Sequence, residues 1–193
     1  MRWLRAISAY AHHPDGRVAA ANLIALIVAS NQPFYPLYLH WLVGGDITPG
    51  WFTFLSTPFF LAVPAVARRN TIAGRALLPL AGIGNTVQCA WLFGTQSAVE
   101  IFLLPCAMIA LLLFRPKERI YGLALAGLAF VAFLLNDSYG PSMAAYSAEQ
   151  YAALARLNVV SAGMLTAFVA LLFSNRLAEA EGSVEPAGDQ ISG

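Results

Sequence analysis

Charge is what this sequence has least of. Of 193 residues, 11% are charged and 59% are hydrophobic, with a mean hydropathy of +0.64. That leaves too few polar side chains to cover a water-soluble globule of this length, so lipid is the expected cover. A formal net charge of +1, with the basic residues dispersed, excludes the clustered basic face that a nucleic-acid partner requires. Histidine is equally scarce. His40 is the only one inside an apolar stretch, which excludes a bis-histidine haem; His12 and His13 are adjacent, point to different helix faces and make a poor metal site. The two cysteines, Cys89 and Cys106, both fall in apolar stretches and read as small buried thiols. There is no HExxH, no GxSxG and no phosphate-binding glycine loop, so no metal or other cofactor is expected.

What is present is a series of six apolar stretches: Val18 to Val43, Trp51 to Val66, Ala76 to Phe93, Ala98 to Phe114, Ile120 to Leu135 and Ala153 to Phe173. The basic residues flank them on alternate sides. Arg2, Arg5 and Arg17 precede the first; Arg68, Arg69 and Arg75 separate the second from the third; Arg115, Lys117 and Arg119 separate the fourth from the fifth; Arg176 follows the sixth. Only Arg156 departs from this alternation. By the positive-inside rule the basic segments face the cytosol. The expected fold is an all-α integral membrane bundle of six transmembrane helices with both termini cytoplasmic, set in a bacterial inner membrane. Pro33, Pro36, Pro58, Pro64, Pro79 and Pro105 predict kinks, and the first span should unwind near Gln32. Trp41, Trp51 and Trp91 fall at external span ends, where amphipathic rings favour the headgroup level. The first apolar run is read as an uncleaved span, because apolar residues resume at Phe34.

Three segments follow. Residues 1–17 form a cytoplasmic amphipathic segment, with Trp3, Leu4, Ile7, Tyr10 and Ala11 at helical spacing and Pro14-Asp15-Gly16 ending it. Residues 18–176 are the membrane domain. Residues 177–193, acidic and without apolar periodicity, are expected to be a disordered tail. Gly82, Gly84, Gly122 and Gly127 are expected at close helix contacts.

A polar side chain in hydrocarbon is costly unless paired, so its depth is informative. With the N-terminus inside, the polar residues gather in the external halves: Asn31, Gln32, Tyr35, Tyr38 and His40 in the first span, Ser56 and Thr57 in the second, Asn85 and Gln88 in the third. Glu100 in the fourth span and Arg156, Asn158 and Ser161 in the sixth complete the set. These residues predict a pocket open to the external face that holds a small lipophilic ligand. Asn31, Gln32, Tyr35, Tyr38, His40, Asn85, Gln88, Glu100, Arg156 and Asn158 are its candidate lining. Asn85 and Gln88, three residues apart, share a helix face. Glu100 and Arg156 are opposite charges at similar depth, and pairing would relieve the cost of each. The competing structural reading is that the amides and hydroxyls join helices by interhelical hydrogen bonds.

The segment Pro33-Phe34-Tyr35-Pro36-Leu37-Tyr38-Leu39-His40-Trp41, the external set Asn85, Gln88 and Glu100, and the exit Phe114-Arg115-Pro116-Lys117-Glu118-Arg119 together resemble another group of proteins. They are similar to the six-helix membrane sensor domains of bacterial class III adenylyl cyclases and autoinducer-sensing histidine kinases. The likeness covers residues 18 to 176. It implies binding of a small lipophilic or organic signal and transfer of a helix movement to a cytoplasmic effector, here a separate partner or a homo-oligomer. A non-enzymatic sensor is the leading expectation. A small permease or transport subunit is the alternative, since proline-interrupted helices with midplane polar groups also build substrate sites. A lipid-directed membrane enzyme, with His40 and Glu100 as its acid–base pair, ranks third.

Overall fold

A computed structural model describes residues 2–182, with side chains from Ile7 to Glu179. Among the described residues the regular structure is all helical, with no strand. Helix α1, Arg2–Ala11, falls within the segment expected to be amphipathic; the side chains of Trp3 and Leu4 lie outside the described set. It is tied to the bundle. Tyr10 OH donates to Leu61 O at 2.8 Å, Arg68 donates to Tyr10 O at 3.0 Å, and Asn22 Nδ2 donates to Ala11 O at 2.9 Å.

Asp15 accepts from the backbone of Arg17 and Val18 and so starts α2, Gly16–Asn31. The helix changes type at Gln32, as the prolines predict: a 3-10 turn over Gln32–Phe34, a short α3 over Tyr35–Tyr38, and a π turn over Leu39–Val43. Gly44 and Gly45 then turn the chain at φ of +74° and +77°, a conformation that glycine adopts without cost. Helix α4, Thr48–Phe52, leads through a 3-10 turn into α5, Thr57–Arg69, where Pro58 sits in the first turn and costs no hydrogen bond. Asn70 caps α6, Thr71–Phe93. Two 3-10 turns, Thr95–Ser97 and Val99–Phe102, precede α7, Leu103–Leu113. After a turn at Pro116–Glu118 come α8, Arg119–Leu134, and finally α9, Ala148–Gly182. Thus α9 continues past Arg176 to Gly182, and the remainder of the acidic tail, from residue 183, lies outside the described residues.

Among the described residues four helical segments are long and apolar enough to cross a membrane: Gly16–Val43, Thr48–Arg69, Thr71–Phe93 and Ala148–Glu179. The fourth and fifth expected spans are shorter. They form a bent pair, Val99–Leu113 and Pro116–Leu134, at 119° to each other, which together count as a fifth candidate. The 11 residues of α7 and 16 of α8 reach about 16 and 24 Å at 1.5 Å per residue, short of a hydrocarbon core of about 30 Å.

Among the described residues the core lies in three clusters. One, around Ile24, Phe60, Val63, Leu78, Ile109 and Leu113, binds α2, α5, α6 and α7. A second, around Leu39, Leu92, Phe93, Val99 and Leu154, holds the opposite end of the bundle. The third joins α6, α7 and α8 through Ile83, Cys106, Ala107, Ala126 and Ala129. A Cβ on Gly82 would meet Cys106 Sγ at 2.6 Å, and one on Gly122 would meet Ala110 O at 2.9 Å, so both glycines do mark close contacts. Gly84 and Gly127 do not: nothing lies within 4 Å of a Cβ there, because both point away from the neighbouring helices.

Candidate functional site

The polar residues singled out from the sequence are drawn together in two groups. Gln32, 7% exposed, donates through Nε2 to the Ser56 hydroxyl and to Thr53 O at 3.3 Å, while its Oε1 accepts from Thr57. The Ser56 hydroxyl has Asn85 Oδ1 at 2.8 Å and Thr53 O at 2.9 Å as acceptors. This group fastens α2, α5 and α6 where the prolines interrupt the first span. Gln88 Nε2 donates to Phe52 O at 2.6 Å, so Asn85 and Gln88 do share a face, turned toward the second apolar stretch.

The second group centres on Asn158 in α9, which is fully buried. Its Nδ2 donates to Ser97 O at 2.9 Å and its Oδ1 accepts from Tyr35 OH at 3.2 Å. Tyr35 also packs edge-on against Phe93, with ring centroids 5.8 Å apart. Ser97 is itself fully buried and donates to Gly94 O at 2.6 Å. A single amide therefore ties three parts of the chain: the first span, the turn after α6, and α9.

These amides fasten helices and do not line the cleft found elsewhere in the bundle. Of the ten candidate residues only Glu100 lines a cleft of about 310 Å³ between α7 and α8, with Ala98, Ile101, Leu103, Leu104, Ala107, Ala129, Phe130 and Phe133. Asn31 and His40 are exposed, and Tyr38 stacks on Phe34 at 6.4 Å. The expected Glu100–Arg156 pair does not form. Arg156 is exposed, Glu100 Oε2 is buried without a hydrogen-bond partner, and the ion pairs among the described residues are Arg75–Glu118 and Arg115–Asp15. Ala98, at the mouth of the cleft, has φ +53°. For a residue with a Cβ this left-handed conformation costs about 1 kcal/mol or more, held here by the turn that Asn158 fastens.

The opposite end of α7 carries a polar knot that charge counting along the sequence did not find. Helix C-termini leave carbonyls without intrahelical donors and carry partial negative charge. Arg17 donates to Leu112 O at 2.6 Å and Phe114 O at 2.8 Å; Arg75 donates to Leu113 O at 2.9 Å. Arg75 is 1% exposed and makes two further bonds to Glu118, at 2.7 and 2.9 Å. Those bonds hold the Glu118 carboxyl down at about 2. Arg115 pairs with Asp15 at 2.8 Å, so the residue that caps α2 also anchors the α7–α8 elbow. On α9, the Arg176 guanidinium lies 3.0 Å from where a Gly16 Cβ would be. The signal for Arg75 was its position: it lies four residues into α6, hydrogen-bonded back to Thr71 O at 3.1 Å, and not in the loop.

Comparison with curated proteins gave no match. The family model MASE7, of a membrane-associated sensor domain, matches residues 8–186, a stretch that includes α2 through α9 and both polar groups. The chain belongs to the MASE7 family of membrane-associated sensor domains.

Proposed function

We propose that this membrane sensor domain crosses a bacterial inner membrane six times with both termini in the cytosol, binds a small lipophilic ligand in its outer half, and reports binding through α9 to a cytoplasmic effector. The observation that carries the reading is the Asn158 bridge. It holds α9 to Ser97 O and Tyr35 OH, beside the turn that carries Ala98 and Glu100. A 35-residue helix is about 50 Å long, so a displacement at that turn is carried as a rod movement to the other end of α9. There Arg176 abuts Gly16, and the Arg17 and Arg75 knot fixes α7.

Short α7 and α8 fit as two crossings. The basic residues Arg115, Lys117 and Arg119 stand at their junction, while Glu100 and Asp137 stand at their far ends. Tilt and local thinning of the bilayer accommodate short spans at modest cost. The effector expected is a signalling enzyme, in keeping with the likeness to cyclase and kinase sensor domains. A permease is disfavoured because Gln32, Asn85, Tyr35 and Asn158 are engaged between helices instead of lining a route. An enzymatic role is disfavoured because His40 is exposed and does not line the Glu100 cleft.

Spin labels at Lys117 and Ser174, read in nanodiscs with and without a lipophilic bacterial extract, test this. The expected result is a shifted distance distribution with at least one extract fraction. An unchanged distribution with every fraction overturns sensing through α9. Labelling of a Lys117→Cys variant from outside intact cells overturns the six-crossing topology.

A further inference from the structure

We infer that the α7–α8 cleft is a binding site for a single-chain amphiphile with a protonated amine head, the amine meeting Glu100 and the chain lying along Phe130 and Phe133. This rests on the sensor reading above and names the ligand chemistry of that sensor.

The cleft is built for a chain. Its floor is Ala107 and Ala129, both buried, and the small side chains leave the space open. Its walls, Leu104, Phe130 and Phe133, are 61%, 58% and 53% exposed, so it opens sideways to lipid and is entered from the bilayer. A volume of about 310 Å³ takes one short chain and not the two of a phospholipid.

The head is chosen by charge. Glu100 is the one charged residue of the lining, and its Oε2 is buried with no donor. No basic residue among the described residues pairs with Glu100. An apolar cleft whose one charged lining residue is a carboxylate without a donor fits an ammonium group, which supplies three donors and a positive charge. A carboxylate or phosphate head meets repulsion there. Seating the head at Glu100 would also press on the strained Ala98 turn, which Asn158 links to α9.

The test uses the full chain in phosphatidylcholine nanodiscs with photoreactive decylamine, decanol and decanoate probes of equal chain length. Decylamine is expected to label residues 98–107 and 129–133 most strongly. Glu100→Gln, which keeps the shape, is expected to weaken that labelling by about tenfold, as for loss of a charge-assisted hydrogen bond, and to level the three probes. Ala107→Phe, filling the floor, abolishes labelling by all three. Equal labelling of wild type by decylamine and decanoate, or no effect of Glu100→Gln in a protein that folds normally, overturns the inference. So does loss of decylamine labelling when phosphatidylethanolamine is added, which would make a lipid headgroup the occupant. Cleft labelling without movement of α9 sinks the sensor reading alone. Movement of α9 with an extract, without decylamine labelling, sinks only the amine site.

Discussion

Arg75 and Glu118 meet through two hydrogen bonds of 2.7 and 2.9 Å, and the arginine is 1% exposed while the glutamate side chain retains 21% of its surface. This is an ion pair with one dry partner. Removing the glutamate leaves a buried guanidinium with only carbonyl acceptors, Thr71 O and Leu113 O.

Glu118→Ala is therefore expected to lower stability by about 2 kcal/mol, below the 3 to 5 kcal/mol of a fully buried pair because Glu118 is partly solvated. Glu118→Gln, which keeps an acceptor for Arg75, costs less. The sign of the pH dependence follows from the depressed carboxyl. With a folded value of about 2 against roughly 4.3 unfolded, the ionised form is favoured by folding. Its contribution is complete above the unfolded value and is lost as pH falls through the folded one. The gap in thermal midpoint between wild type and Glu118→Gln should stay constant from about pH 7 to 5 and close below about pH 4. A gap that widens on acidification contradicts the assignment.

The Asn158 bridge separates two variants of unequal effect. Tyr35→Phe removes one donor from Asn158 Oδ1 at 3.2 Å and is expected to cost under about 1 kcal/mol, the usual size of a membrane interhelical bond. Asn158→Ala removes both bonds and leaves a cavity among fully buried groups, so it should cost about 2 kcal/mol or more. Reversible unfolding in mixed micelles measures both. Asn158→Ala should also uncouple the ends of the molecule: ligand still labels the cleft while the distance between Lys117 and Ser174 no longer responds.

Much of this was legible in the chain itself, because local rules decide it. Pro33 and Pro36 forbid a regular helix, and the backbone changes type at Gln32. Three-residue spacing puts Asn85 and Gln88 on one face, and both bond toward the second apolar stretch. What failed was anything that depends on which helix stands next to which. Depth alone grouped the amides but did not say which helices they join: Gln32 and Asn85 meet at Ser56, and Asn158 reaches Ser97 O. Depth alone paired Glu100 with Arg156, yet their elements present them to different surroundings. The cleft depends on Ala107 and Ala129 facing each other across α7 and α8, a relation no single segment contains. Arg75 was hidden for the opposite reason, since a charge near a span end is accounted for by topology before packing is considered.

Because Glu100 and Arg156 are not joined, exchanging their charges should give no rescue. Glu100→Arg and Arg156→Glu are expected to combine additively within about 0.5 kcal/mol, as distant sites do. Arg156→Gln alone, at an exposed position, should change stability by less than about 0.5 kcal/mol. A double variant more stable than the sum of the singles would show that the two residues meet in the membrane.

Two glycines five residues apart on α8, Gly122 and Gly127, differ in what they face, and a matched pair of substitutions measures the α7–α8 contact directly. A side chain on Gly122 runs into Ala110 O at 2.9 Å, which is backbone and cannot rotate away. Gly122→Leu must part the two helices and is expected to cost about 2 kcal/mol or more, within or above the usual range for overpacking. Gly127 faces open space, and Gly127→Leu adds helix propensity of several tenths of a kcal/mol with nothing to displace. The first variant should also widen the Glu100 cleft and loosen amine labelling; the second should leave it unchanged. If both glycines tolerate leucine equally in thermal unfolding, α7 and α8 do not pack face to face, and the cleft between them loses its walls.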